Sequence, residues 1–443
     1  VFRGLNITIG GTAAGAGNLI SGNRQVALIS LYSGESTLIQ GNKLGTDALG
    51  MAALGTGGAS SYGINVAYAI DDGVTYLSQK NTIGGTTPAS RNLISACPYY
   101  GINISRAKEN NVRNNLIGTN LAGTAALANG YGIQVIGAEA LYNDIGGVSS
   151  DTSNVISGNK NNGISIYSNN NTVSGNYIGT QINGTSALKN GGYGIALYAS
   201  AASNSIGLSP GTPNEKPNNV IAFNGSDGIY VDASVTKTLI RSNSIFDNDG
   251  LGIKVANSSA PQPPVINVSN ILGKIQVDGT LTGQANTTYA IEYFGNDACD
   301  PSGSGEGKNL LGWHEVTTNG SGMVNFTAPF NPPSGVIVTA TAALSSEGTT
   351  SQFSVCGGSA GDKVLVENPR VDGVNSPNET LLPRPATPTN ISFMGDIRFR
   401  LTSDNNGGYL IVAAYDVSIP NNPLSLQKPN GDDARLVIPV QMS

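Results

Sequence analysis

Charged side chains are scarce in this chain. Asp, Glu, Lys and Arg make up 12% of its 443 residues, about half the share of an average globular protein, so hydroxyls and amides must cover much of the surface. The 23 basic and 29 acidic residues leave a net charge of −6, and the basic residues form no cluster. Because nucleic acids are bound by concentrated positive charge, the sequence argues against a nucleic-acid partner.

Long apolar runs and histidine are also lacking. A helix needs roughly 18 or more consecutive apolar residues to cross a bilayer, and no such run occurs, so no membrane span is predicted. The single histidine, His314, follows Trp313 and lies far in sequence from the repeats described below. An enzyme that cleaves polysaccharide would need acids and bases grouped on one face, and few are present.

Cysteine is limited to three residues. Cys299 and Cys356 fall in one later segment of alternating strands, and a disulfide between them is expected if the protein is exported, because such bonds persist in oxidising compartments. Cys97 is left over at a turn, where a small hydrophobic side chain is the simplest interpretation.

Glycine, by contrast, is abundant, with 59 residues, and much of it lies in a repeated pattern. Repetition at intervals of about 20–50 residues is the signature of a solenoid. The turn phrases N-L-I-S-G-N (Asn18 to Asn23) and N-V-I-S-G-N (Asn154 to Asn159) recur between strands. A Gly-Ile pair followed by alternating apolar residues occurs seven times, with its isoleucines at Ile64, Ile102, Ile133, Ile164, Ile195, Ile229 and Ile253.

Each repeat contains three short runs with apolar residues two apart, which is typical of strands. Between Gly163 and Gly194 the runs are G-I-S-I-Y, N-T-V-S-G and N-Y-I-G-T. Joined at Asn and Gly corners, three such strands make one coil of a parallel β-helix. A polar insertion alternates between two corners, and about eight coils are predicted within residues 1–260. The chain opens at Val1 in the middle of a coil without a leader segment, as expected of a processed chain or a fragment.

The pattern changes after the proline-rich break Pro261–Pro264, since proline removes donors from a sheet. Residues 265–356 contain alternating strands separated by turn residues, which predicts a β-sandwich. A proline-rich linker is expected over residues 357–389. Residues 390–443 resume long strands, but so short a segment is a marginal sheet and is expected to complete itself with a neighbour. The predicted fold class is therefore all-β.

The phrases N-V-I-S-G-N, N-Y-I-G-T and G-I-x-I, with the I-G-G-T turn, resemble the repeats of the right-handed parallel β-helix of the pectate-lyase-like superfold. More narrowly, the chain resembles bacterial secreted or surface proteins that place an immunoglobulin-like domain after such a helix. The run from Tyr289 to Gly307 is similar to the opening of that domain, and S-Q-F-S-V-C, ending at Cys356, to its close. The resemblance implies the architecture, whereas the superfold hosts lyases, hydrolases, epimerases and adhesins alike.

The acidic residues at the coil corners are candidates for a metal or catalytic site. Asp71 and Asp72 lie in a long corner, and Asp247 and Asp249 lie in the last coil beside Lys254. Acidic residues at such corners usually form turn hydrogen bonds or face solvent. Calcium at Asp247 and Asp249 is the alternative. No catalytic residue is predicted, no cofactor is required, and calcium is the only candidate metal.

Two further patterns run along the coils. Asn23, Asn42, Asn159, Asn176 and Asn243 end equivalent phrases, and their amides are expected to hydrogen-bond from coil to coil. Tyrosines precede the glycine of several Gly-Ile strands and would line one corner. Such a row can pack on itself, or it can bind sugar rings by stacking. The row consists of Tyr62, Tyr100, Tyr131 and Tyr193.

The sequence favours a non-enzymatic extracellular or cell-surface protein, namely a structural or adhesive subunit of a fibre, sheath or surface layer. Open sheet edges at Ile391 to Leu401 or Arg435 to Met442 would join copies of the chain into a homo-polymer. The alternative is a carbohydrate-active enzyme, either a polysaccharide lyase or a glycoside hydrolase, or a protein that binds polysaccharide.

Overall fold

The computed structural model describes residues 1–23, 27–54, 61–147, 152–199, 201–207, 219–271, 274–330, 336–345, 348–357, 397–403 and 410–416. In these residues the regular structure is β-strand, apart from one short 3-10 turn at Pro88–Ser90. The all-β prediction is confirmed.

Three parallel sheets of eight strands each form the first part of the chain. Consecutive strands pass from one sheet to the next, so each coil contributes one strand to every sheet. Sheet A comprises β3 (Ala27–Tyr32), β6 (Tyr62–Ala67), β11 (Tyr100–Ser105), β14 (Tyr131–Ile136), β17 (Ile164–Tyr167), β20 (Ile195–Leu197), β23 (Ile229–Val231) and β26 (Ile253–Val255).

The other two sheets have shorter strands. Sheet B comprises β1 (Thr8–Gly10), β4 (Leu38–Gln40), β9 (Thr82–Gly84), β12 (Asn111–Arg113), β15 (Asp144–Gly146), β18 (Thr172–Ser174), β21 (Ser205–Ile206) and β24 (Leu239–Ile240). Sheet C comprises β2 (Leu19–Ile20), β5 (Lys43–Leu44), β10 (Leu93–Ile94), β13 (Leu116–Ile117), β16 (Val155–Ile156), β19 (Tyr177–Ile178), β22 (Val220–Ala222) and β25 (Ser244–Phe246).

The isoleucines of the Gly-Ile pairs form one continuous row in the core. Ile133 pairs with Ile164, and Ile164 with Ile195, in the parallel register. The row runs from Ile29 to Ile253, and each member is at most 5% exposed. The coils therefore stack in register, and β3, in which Leu28 stands where the later strands have glycine, lies at one end of sheet A.

The glycine before each isoleucine also faces the core. A Cβ added to Gly132 would lie 2.6 Å from the Ile156 side chain and 2.3 Å from the Gly163 carbonyl oxygen. Two consecutive residues thus point inward, and only glycine fits the first of them. Because of these two inward residues, the inward-outward alternation of the side chains shifts by one position. The residue before the glycine, Tyr131 in this coil, therefore faces outward.

The repeated phrase G-T…A-L forms a hairpin loop at one corner of alternate coils. Three such loops are closed by the bridges Thr46↔Ala53, Thr119↔Ala126 and Thr180↔Ala187. Neighbouring loops hydrogen-bond to one another, as from the Ile182 N–H to the Gly123 carbonyl (3.0 Å). Beside them, a second apolar cluster lies outside the central core and comprises Leu93, Leu116 and Val155 with Tyr177 and Ile182.

Antiparallel sheets follow the solenoid. One three-stranded sheet contains β27 (Val265–Ile271), β28 (Lys274–Thr282) and β31 (Met323–Phe330), and the other contains β30 (Asn309–Thr317), β29 (Thr288–Asn296) and β32 (Ile337–Leu344). Cys299 and Cys356 form the predicted disulfide, and Cys97 is free and buried. The solenoid and the sheet β30–β29–β32 belong to one compact unit comprising residues 1–266, 279–326 and 337–357.

The last described strands, β33 (Ile397–Ser403) and β34 (Leu410–Asp416), form an antiparallel pair. The segment Arg435 to Met442 lies outside the described residues, as does the linker 358–389. A corner hairpin of β7 (Ala69–Asp71) and β8 (Val74–Tyr76) completes the described strands. The proposed boundaries of the sandwich and of the terminal domain stay predictions.

Candidate functional site

Tyrosine rings cover part of the outer side of sheet A. The rings of Tyr62 and Tyr100 are nearly parallel, with centroids 6.2 Å apart, and Tyr100 stacks on Tyr131 at 4.8 Å. Tyr99 packs edge-on against Tyr100 at 4.3 Å. We call these four residues and the stacked residues Tyr167, Tyr193, Tyr198 and Tyr230 the tyrosine face.

Three residues of the sequence-predicted row lie together, whereas the fourth lies in the other half of the tyrosine face. Tyr193 stacks on Tyr230 at 4.9 Å, and position 162, in the coil between those of Tyr131 and Tyr193, is asparagine. Sequence analysis missed Tyr99, Tyr167, Tyr198 and Tyr230. Tyr99 precedes Tyr100, and the other three come after the Gly-Ile pair of their coils. The tyrosine pattern on both sides of the Gly-Ile pair could have identified them.

Polar side chains lie between the tyrosines on the same side of sheet A. Asn65, Asn103, Gln134 and Ser165 occupy equivalent positions in adjacent strands, and all are buried. Asn103 donates to the Asn65 Oδ1 (2.8 Å), and Gln134 donates to the Tyr100 hydroxyl (2.8 Å). Asn103 is only 5% exposed, and its Oδ1 has no hydrogen-bond partner among the residues that the structure describes.

The partly buried phenols of this face resist ionisation. Burial raises the pKa of Tyr198 to about 12 and raises the pKa values of Tyr62, Tyr100 and Tyr167. The hydroxyls therefore remain neutral donors and acceptors near neutral pH. Because the rings stack on each other, many ring faces are already covered. The exposed edges of the tyrosine rings suit hydrogen bonding more than stacking. Packing and sugar binding both remain predictions for this face.

Asparagines, most of them buried, form three ladders along the described coils. The longest ladder joins eight residues by amide-to-amide hydrogen bonds of 2.7–3.0 Å: Asn18, Asn42, Asn92, Asn115, Asn154, Asn176, Asn219 and Asn243. A second ladder contains Asn81, Asn110, Asn143, Asn171 and Asn204. The third contains Asn129, Asn159, Asn190, Asn224 and Asn248.

The predicted amide stacking is thus confirmed for four of the five residues named from sequence, in two different ladders. Asn23 is the exception and the prediction for it was wrong. Its side chain is exposed and, among the described residues, donates to the Ser21 carbonyl at 3.3 Å, within its own turn. The Asn129 position in the preceding coil is taken by Cys97, whose backbone N–H donates to the Asn129 Oδ1 (3.0 Å).

The acidic candidates lie apart from the tyrosine face and are largely neutralised or exposed. Asp71 forms an ion pair with Arg3 (2.6 Å), and Asp249 forms one with Lys189. Asp72 and Asp247 are exposed. In the part of the chain that the structure describes, no group of three or more His, Cys, Asp or Glu side chains could hold a metal ion. Calcium at Asp247 and Asp249 stays a prediction.

The only histidine packs inside the antiparallel part of the chain. The His314 ring is parallel to that of Tyr293, and its Nδ1 lies 3.2 Å from the Tyr293 hydroxyl. Burial lowers the pKa of His314, so the imidazole is neutral near neutral pH. Since it packs against Tyr293 and Phe326, its environment is that of a structural histidine.

Comparison with known proteins supports the architecture. Residues 128–270 match a family model described as a right handed beta helix region. Together with the three parallel sheets, this match decides the fold.

The solenoid is a right-handed parallel β-helix. A search of curated proteins found no relative with significant similarity. Among solved structures, one match is the tailspike protein gp49 from Acinetobacter baumannii bacteriophage Fri1, a capsular polysaccharide depolymerase. The match has 12% identity, covers 68% of this chain and 73% of that chain, and has a TM-score of 0.14. A similarity this low supports no inference about function. No helix in the described residues is long and apolar enough to span a membrane.

Residues from the antiparallel part close the end of the β-helix core. Phe294 and Phe353 belong to the same buried cluster as the isoleucine row. The Arg241 Nε donates to the Glu292 carboxylate (3.0 Å), and both side chains are buried. The N–H groups and carbonyls of Ile245 and Gly307 pair reciprocally at 2.8 Å. Sequence analysis did not find this closure, because its partners are about 50 or more residues apart and share no motif.

Proposed function

We propose that this chain is a non-enzymatic extracellular protein with a structural or adhesive role. The main support for this proposal is that the acidic side chains form ion pairs and hydrogen bonds within the chain. Beyond Asp71 and Asp249, Glu139 and Asp144 form ion pairs with Arg106 and Arg113. Asp47 accepts hydrogen bonds from the backbone of its own loop. These carboxylates stabilise corners and loops, whereas polysaccharide cleavage needs a free acid and a free base at one point.

The disulfide supports the extracellular part of the proposal. Cys299 and Cys356 are bonded, and structural disulfides persist mainly outside the reducing cytosol. The low share of charged residues, 12%, and the continuous amide ladders suit a long-lived structural element more than a pocket.

The absence of catalysis can be tested directly. The protein is incubated with polyuronates and neutral glycans, with and without calcium, and unsaturated products and reducing ends are followed. We expect no turnover. Turnover that is lost in Asp71→Asn or Asp249→Asn would replace this proposal by a polysaccharide lyase or glycoside hydrolase.

A second candidate function, polysaccharide binding without cleavage, is favoured by the tyrosine face. The exposed hydroxyl edges of its tyrosines provide donors and acceptors of the kind that bind sugar hydroxyls. The test compares glycan binding by Tyr131→Ala with that by Tyr142→Ala. Tyr142 is 61% exposed and is not part of the tyrosine face, so only the first change should weaken binding.

Polymerisation through sheet edges is the third part of the proposal. Among the described strands, β33 and β34 pair only with each other, and a two-stranded sheet leaves both outer edges available for a strand of another copy. A homo-polymer would place the β-helix in a fibre or surface layer.

A further inference from the structure

The asparagine ladder that ends at Asn248 does not end in solvent. Glu306, in the loop between β29 and β30, occupies the place that an asparagine of a further coil would take. Its Oε1 accepts hydrogen bonds from the Asn248 Nδ2 (3.0 Å) and the Asn248 backbone N–H (3.2 Å). A carboxyl group therefore continues a ladder that is otherwise made of uncharged amides.

The surroundings of Glu306 fix its position. Its carbonyl accepts hydrogen bonds from the Asn296 Nδ2 (2.9 Å) and the Thr339 Oγ1 (2.5 Å). The next residue, Gly307, pairs with Ile245 of the last coil. The disulfide lies seven residues before Glu306 and joins its loop to the segment that carries Phe353. The Glu306 residue is only 6% exposed, so its carboxyl group is largely removed from water.

Among the described residues, the nearby charges do not neutralise this carboxyl group. In its own loop, Lys308 pairs with Asp297 (2.5 Å), and Asp300 is of the same sign as an ionised Glu306. On the last coils, Asp249 pairs with Lys189, Asp227 lies 4.0 Å from Lys254, and Asp247 is exposed. Glu292 of β29 is already paired with Arg241. The segment from Ser351 to Cys356 and strand β32 contain no ionisable side chain apart from the bonded cysteine.

We propose that Glu306 is a pH-dependent latch, which holds its loop against the last coil when protonated and loosens this closure when ionised. The closed form keeps an uncharged group at the end of the amide ladder. The ionised form places an unpaired charge between the ladder and the apolar end of the core, which is unfavourable.

The direction of the pH effect follows from linkage. Burial, and to a smaller degree Asp300, raise the pKa of Glu306 from its usual 4.5 to about 7, against the opposing hydrogen bonds from Asn248. A raised folded-state pKa means that the stabilisation is fully present below pH 4.5 and is lost as the pH rises towards 7. His314 acts in the opposite sense, since its pKa is lowered by burial and it disfavours the folded state on acidification.

The Ile245 and Gly307 amides report on the latch because they bond to each other across it. Hydrogen exchange of peptides containing them is measured in the full, oxidised chain and corrected for the intrinsic pH dependence. Between about pH 5 and pH 8, opening in the native chain should increase on the order of 100-fold. Glu306→Gln keeps an acceptor for Asn248 but cannot ionise, so this increase in opening should be lost in the variant. Both proteins retain His314, whose contribution cancels.

Glu315→Gln is the matched control, because Glu315 is exposed on the neighbouring strand β30, and it should behave like the native chain. Equal pH dependence in Glu306→Gln and the native chain would overturn the latch. If Glu306→Gln does not fold, the native chain is compared internally. Peptides of β14, deep in the β-helix, should then show constant protection while those of Ile245 and Gly307 do not. Constant protection at both places would overturn the proposal.

Discussion

Replacing Asn176 by alanine tests the asparagine ladders most directly. The two hydrogens of the Asn176 Nδ2 are shared among the Asn219 Oδ1 (3.0 Å), the Ile145 carbonyl (2.9 Å) and the Ser174 carbonyl (3.1 Å). Its Oδ1 accepts from the Asn154 Nδ2 (2.9 Å). All four bonds lie in the buried corner of the coil, where water cannot replace them.

The expected loss follows from those four bonds. A net hydrogen bond contributes about 1 kcal/mol, and a buried group left without a partner costs about 1–3 kcal/mol. Some partners keep other bonds: Asn154 still donates to the Val112 carbonyl, and the Asn219 Oδ1 still accepts the backbone N–H of residue 176. We therefore expect Asn176→Ala to lower the free energy of unfolding by about 3–4 kcal/mol.

Asn23→Ala is the control, because Asn23 ends an equivalent sequence phrase but lies outside the ladders. Its side chain is exposed and makes one long bond, so the loss should be less than about 0.5 kcal/mol. Guanidinium denaturation followed by circular dichroism measures both variants. Equal losses in the two proteins, or a loss below about 1 kcal/mol for Asn176→Ala, would show that the ladder bonds add little to stability.

Three further predictions concern the core, the thiols and assembly. Ile164→Asp puts an unpaired charge in the isoleucine row and should abolish cooperative folding; a soluble protein with a normal unfolding transition would contradict this. Alkylation without reductant should label none of the cysteines in the native protein and only Cys97 after denaturation. The reason is that burial raises the pKa of the Cys97 thiol to about 12, while Cys299 and Cys356 are bonded. Mass spectrometry identifies the labelled cysteines, and labelling of Cys299 and Cys356 would refute the disulfide. Deleting residues 390–443 should leave a folded monomer in light scattering, whereas the full chain polymerises; a full chain that is monomeric at high concentration would end the assembly hypothesis.

Local patterns were enough to predict the β-helix. Apolar residues two apart mark each strand, and the recurrence of Gly-Ile sets the register, because a shift of one residue would expose Ile133 and its equivalents. The alternating insertions followed from the same spacing. The disulfide could be predicted because Cys299 and Cys356 share a segment, while Cys97 lies in a coil.

Contacts between distant segments could not be predicted in this way. The phrases that end in Asn23 and Asn159 are nearly identical, yet only Asn159 joins a ladder, since membership depends on the amide one coil further along. The second half of the tyrosine face depends on which side chains of neighbouring coils meet. The closure at the end of the core involves Glu306, Arg241 and Phe353, and no repeated sequence pattern connects these three residues.

The sequence by itself determined the repeating unit of this protein, because each strand is defined by the alternation of its own side chains and each corner by its own asparagine or glycine. Only the tertiary structure decided what covers the end of the repeats. The polar and apolar groups of the last coil have no further coil to pair with, so their partners come from segments about 50 or more residues away. The free energy of burying these groups depends on those partners.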